Sequence, residues 1–198
     1  MSDFSDDGLD VVVDGTDISE EDLKHASATV SKEGHYHVMV QSVTPYNDEG
    51  RLPSRRVDMV VLDGTEKSQI GRYLNHYCVV QSWEFAGEEK TGKILPLNQR
   101  GKILLAKMFC AFGLLDQNAI RKKNLSFPFS QLVGCQAIVR VYANEFVRRD
   151  GEKGTGYRIG SFHAIDDPKV GHVPKDADGI ASWEQERSVG SGTGFDDI

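Results

Sequence analysis

Along this chain the hydrophobic period runs from two, to that of a helix, and back to two, and that order restricts the fold more than any other feature. His35 to Thr44 alternates valine with polar residues and ends at Pro45 and the polar turn Asn47-Asp48-Glu49-Gly50, the signature of a half-buried strand. Arg55 to Leu62, closed by Asp63-Gly64, reads as a second strand, and His76 to Phe85 as a third. Gln99 to Leu115 is the one strong helix, apolar nearly all round and so expected to be mostly buried, with Gly113 weakening its last turn. Strand patterning resumes from Cys135 to Phe146 and returns from Tyr157 to Ile165, with a hairpin loop at residues 148–156.

Three strands, a helix and two strands is the order of the five-stranded oligonucleotide/oligosaccharide-binding (OB) barrel, in which a helix commonly plugs the barrel between the third and fourth strands. A mainly β, five-stranded OB barrel is therefore the expected fold. Another small antiparallel barrel or an α+β sheet is the competing reading. Ser19 before Glu20, Glu21 and Asp22 marks the start of a short N-terminal helix running to about Val30.

Charge divides the chain in the same places. Residues 1–33 carry 10 acids and 2 bases, residues 34–169 carry 14 acids and 19 bases, and residues 170–198 carry 6 acids and 2 bases, so a net charge of −7 conceals a basic middle. We expect an acidic N-terminal arm (1–33), a nucleic-acid-binding domain (34–169) and a flexible acidic tail (170–198), with disorder at both termini. No apolar run reaches the roughly 20 residues of a membrane span. The acidic start Met1-Ser2-Asp3-Phe4-Ser5-Asp6-Asp7 lacks the layout of a signal peptide, so a cytoplasmic location is expected. Cys78, Cys110 and Cys135 are widely spaced among apolar residues and read as free buried thiols.

A barrel that holds single strands needs cations for phosphates and flat rings on which bases stack. The middle block interleaves them: Arg55 and Arg56 open the second strand, Lys67 and Arg72 follow it, and Tyr73, Tyr77 and Trp83 lie on or beside the third. Arg140 and Tyr142 share a face of the fourth strand, and Arg148, Arg149, Lys153, Tyr157 and Arg158 surround the last hairpin. Rings on barrel strands also build cores, and Arg140 with Tyr142 is the pair expected to point outward. Arg121-Lys122-Lys123 is a second basic run, suited to solvent or to phosphate. His35, His37 and His76 could meet around a metal, but no acidic or cysteine partner accompanies them, so no metal or cofactor is expected. No nucleophile elbow, HExxH or phosphate loop occurs, and the chain does not read as an enzyme.

Two strings carry a resemblance. Val60-Val61-Leu62-Asp63-Gly64-Thr65-Glu66-Lys67-Ser68-Gln69-Ile70-Gly71-Arg72 and Leu132-Val133-Gly134 resemble the Gly-Thr, Gln-x-Gly and Leu-x-Gly segments of a phage-associated family of OB-fold proteins. Members of that family are regarded as single-stranded DNA-binding or recombination-associated. Gly190 to Ile198 is similar to the acidic tips of single-stranded DNA-binding proteins, with Asp196 and Asp197 as acids and Phe195 and Ile198 as apolar anchors. The resemblance implies sequence-tolerant single-stranded DNA binding in replication or recombination, with partners recruited through the tip and a homo-oligomer left open. The alternative is an OB-like protein-interaction module that binds no nucleic acid.

Overall fold

The computed structural model describes residues 29–48, 51–86, 89–116, 125–147 and 151–182. Its strands are β1 (Gly34–Tyr46), β2 (Ser54–Gly64), β3 (Tyr73–Val79), β4 (Gln81–Ala86), β5 (Glu89–Pro96), β6 (Gln136–Val147) and β7 (Lys153–His163), with helix α1 (Gln99–Ala111) between β5 and β6. The protein is mainly β and antiparallel. One sheet runs β3-β2-β1-β6-β7, and β4 and β5 form a separate hairpin.

The five expected strands are all present, but the third is divided and a further strand follows it. β3 pairs with β2 only as far as Val79 opposite Ser54, and β2 begins there, directly after Pro53. The Val80 N–H still donates to the Pro53 carbonyl at 3.3 Å, but Pro53 has no N–H to continue the ladder, and the chain turns there. Residues 81–86 then pair with 89–96.

The sheet does not close into a barrel: among the described residues its edges, β3 and β7, exchange no ladder. They approach through side chains, with the His76 and Phe162 rings 5.1 Å apart edge to face. At the other end the segment 29–31 lies along β3, where the Val30 N–H donates to the Tyr73 carbonyl at 3.0 Å, leaving a cleft of 350 Å³ towards Thr155, Gly156 and Tyr157. Thr29 bridges to Tyr73 in extended pairing, so the expected helix does not reach residues 29–30; the rest of it lies outside the described residues.

Alternation places Tyr36, Val38 and Val40 of β1, Val57, Met59 and Val61 of β2, and Ala137, Val139 and Val141 of β6 on one buried face. Helix α1 covers that face with Leu105, Met108 and Phe109, joined by Phe112 just after its end. Asn98 caps its start by accepting from the Gly101 N–H at 2.9 Å. Its end comes four residues earlier than Leu115. Gly113 takes a left-handed φ of 69°, and the Leu114 N–H bonds back to the Phe109 carbonyl at 2.9 Å, a glycine-based C-terminal cap. Ile103 and Leu104 remain exposed on the outer side of α1.

His76 sits on the core face, where burial pushes its imidazole down to about 4. The unfolded chain, with an ordinary value near 6.5, binds more protons across that interval. The contribution of His76 to stability is therefore complete above about pH 6.5 and is lost as pH falls towards 4, by about 3 kcal/mol in all. Denaturation midpoints recorded from pH 7 to pH 4 check this: His76→Leu should remove that part of the slope, and an unchanged slope would refute the assignment.

Residues 170–182, expected to begin a flexible tail, instead run across the outer face of the sheet. Val170 and Val173 are buried against Ile138, the Asp176 N–H donates to His37 Nδ1 at 3.1 Å, and Gln136 Nε2 donates to the Gly179 carbonyl at 2.9 Å. Ile138 explains the difference: it is an apolar residue on the outer face and needs cover, which two valines spaced three apart supply.

Candidate nucleic-acid interface

Among the described residues, the outer face of the β6–β7 hairpin carries the set of candidates that the fold gathers without neutralising. Arg140, Tyr142, Asn144 and Phe146 alternate with the buried Ala137, Val139 and Val141 and so point outward. Tyr142 stands opposite Arg158, and Arg140 opposite Ser161 and His35. The β6–β7 register shifts between Arg140 and Val141, leaving Gly160 as the extra residue of a bulge. The Tyr142 ring lies over that glycine: a Cβ built on Gly160 would be 3.0 Å from Tyr142 Cδ1. Phe146 lies over Gly156 in the same way, at 3.4 Å. Both rings stay about two-fifths exposed, at 40% and 42%, with Arg140 and Arg158 exposed beside them.

Phe146 is not among the candidates that the sequence alone points to. A signal for it exists all the same: it follows Tyr142 by four residues on one strand face, and the returning strand carries Gly154, Gly156 and Gly160, short of side chains where rings would lie. At about 3.4 Å per residue the two ring positions are roughly 14 Å apart along the strand.

At the head of this row a cleft of 260 Å³ is lined by Glu33, Gly34, His35, Arg140, Val141 and Tyr142. Glu33 Oε1 accepts from the Ala143 N–H at 2.6 Å, continuing the ladder past Gly34. His35 meets His172 edge to face at 5.6 Å. Its pKa is lowered by burial and by the neighbouring His172, Arg140 and His163, so the charge here comes from the arginines.

The other candidates are placed elsewhere or held by other groups. Arg56 lies opposite Tyr77, but its Nε is 2.7 Å from Asp58 Oδ1, and Tyr77 packs on Tyr46 with ring centroids 4.7 Å apart. Arg55 falls on the core-face side of β2, opposite Cys78, and donates to the Ser54 carbonyl. Lys67 pairs with Asp63 at 2.5 Å. Arg72 donates to the Thr29 carbonyl and to Ser31, tying down the segment beside β3, which half-covers Tyr73. Tyr157 packs against the core instead of facing out: it sits opposite Ala143, on the face that alternates with Tyr142. Trp83 belongs to the separate hairpin, with Lys90 Nζ 5.3 Å from its ring centre. Lys153 is exposed at the hairpin end opposite Val147. Arg148, Arg149, the run 121–123 and the tip Phe195, Asp196, Asp197 and Ile198 lie outside the described residues.

His35 and His37 share the outer face whereas His76 lies on the core face, so the three do not meet. Among the described residues no group of three or more His, Cys, Asp or Glu could hold a metal ion, and no helix is long and apolar enough to cross a membrane. No protein-family model matches the chain, and no curated protein matches it.

Proposed function

We propose that the protein binds single-stranded DNA in replication or recombination, without strong sequence preference, on an OB-type barrel left open between β3 and β7. The observation that carries the reading is the row Arg140–Tyr142–Arg158–Phe146, two exposed rings with two exposed guanidinium groups on one sheet face. A ring stacks any base at about 1–3 kcal/mol, and a guanidinium follows the backbone without reading sequence. The strand order with a helix before β6 and the basic middle of the chain support the same reading. On it, the acidic tip at Phe195–Ile198 recruits a partner protein and the protein works in the cytoplasm, as a monomer or as a homo-oligomer.

A fluorescent oligo-dT titration at two salt concentrations tests it. Affinity should fall as salt rises, and an Arg140→Ala, Arg158→Ala variant should lower the slope of log K against log salt by about 1.4, roughly 0.7 for each phosphate no longer neutralised. Absence of binding at low salt, or binding indifferent to salt, would overturn the reading. A protein-interaction module is favoured by a different observation: among the described residues Arg56 and Lys67 are paired with Asp58 and Asp63, away from the β6–β7 face. Under that reading the oligo-dT titration is flat.

A further inference from the structure

We propose that residues 171–182 form a strap held on the outer face by the neutral form of His37 and released by its protonation. His37 is fully buried beneath the strap, and both of its ring nitrogens are committed. The Asp176 N–H points at Nδ1 at 3.1 Å, so Nδ1 must carry a lone pair. The proton then resides on Nε2, which donates to Gln136 Oε1 at 2.9 Å. With its oxygen so used, the Gln136 amide turns its NH₂ outward and donates to the Gly179 carbonyl at 2.9 Å. One imidazole tautomer thus sets two anchors of the strap, directly at Asp176 and through Gln136 at Gly179. A second proton on the ring would place N–H against N–H at Asp176 and break the first anchor.

The groups around His37 do not prevent this. Asp176 and Lys175 face it from the strap, Asp63 from β2, and Gln136 from β6. Burial outweighs the two carboxylates and the glutamine, and lowers its pKa. Along the strap, His172 lies on His35, near Arg140 and His163. The pair His163 Nδ1–Asp167 Oδ2 at 3.0 Å ties the chain just before the strap to β7, and Val170 is buried against Ile138. Release is therefore confined to the part beyond Val170.

The sign follows from linkage. The docked strap disfavours the charged imidazole, so docking is complete above the ordinary histidine value of about 6.5. It weakens as pH falls below that, by up to about tenfold per pH unit, until the lowered docked value is reached. Release uncovers Gln136 of β6 and His35 of β1, extending the exposed face beyond Arg140. On the single-strand reading this lengthens the binding face, a consequence that rests on that reading; the latch itself does not.

Amide exchange and ¹⁵N relaxation of the full chain at pH 7.5 and 5.5 test the latch without DNA. Exchange protection at Asp176, corrected for intrinsic rates, should fall about tenfold at pH 5.5 while β1 and β2 amides keep theirs. His37→Asn keeps an acceptor near the Nδ1 position and cannot titrate, so its strap should hold at both values. In the wild-type protein at pH 7.5 the ring ¹⁵N shifts of His37 should show a protonated Nε2 and a bare Nδ1. A proton on Nδ1, strap protection indifferent to pH, or a His37→Asn variant as sensitive as wild type would each overturn the proposal. Failure of oligo-dT binding would leave it standing.

Discussion

Tyr142→Ala with Phe146→Ala should weaken oligo-dT binding by at least about thirtyfold at fixed salt, because each lost stacking ring removes about 1–3 kcal/mol. The salt slope should stay unchanged, since neither residue carries charge. That separation is the useful part of the result. A variant that loses affinity and slope together has lost its fold or its arginines, not its platform. Gly160→Val makes the same point from below: the ring now resting on a bare backbone would be lifted by a side chain in the space where a Cβ already stands 3.0 Å from it. Retention of wild-type affinity in the double variant would exclude the β6–β7 face as the binding site.

The largest expected loss of stability lies at Gly64. A Cβ there would stand 2.6 Å from Tyr36 Cδ1 and 2.7 Å from the His35 carbonyl oxygen. Tyr36 is fully buried and is the largest such side chain of the core, and its hydroxyl is tied to the Lys32 carbonyl at 3.0 Å. The ring cannot swing away without losing that bond, and the carbonyl belongs to a paired strand. Gly64→Ala should therefore destabilise by about 3 kcal/mol, the upper end of ordinary overpacking. A urea denaturation series would show it as a fall in midpoint at unchanged slope. Adding Tyr36→Leu, which empties part of the space, should recover some of the loss; strict additivity in that cycle would mean that the His35 carbonyl alone carries the clash.

Gly64 also shows how far local sequence reaches. Asp63-Gly64 is legible as the end of a strand, and that is where β2 stops. The reason glycine is needed there is a ring 28 positions earlier in the chain, which no local pattern reveals. Arg140 with Tyr142 is legible as an outward pair because their neighbours Val139 and Val141 demand the core. Tyr157 is not, because the register across the hairpin decides its face: opposite Ala143 it turns inward, and one position away it would turn outward. Arg56 and Lys67 read as free cations, yet their partners Asp58 and Asp63 lie only two and four positions away, and it is the local backbone of β2 and the turn after it that brings each pair together.

The period of the apolar residues by itself determined the helix and five strand regions in their order, though neither the break at Val80 nor β5, since burial on one side of a strand or helix is a local requirement written at spacings of two or 3.6. Only the tertiary structure decided which edges pair and what covers Ile138. Those outcomes depend on meetings between residues far apart in the chain: Gln136 reaches Gly179 across 43 positions and His37 reaches Asp176 across 139.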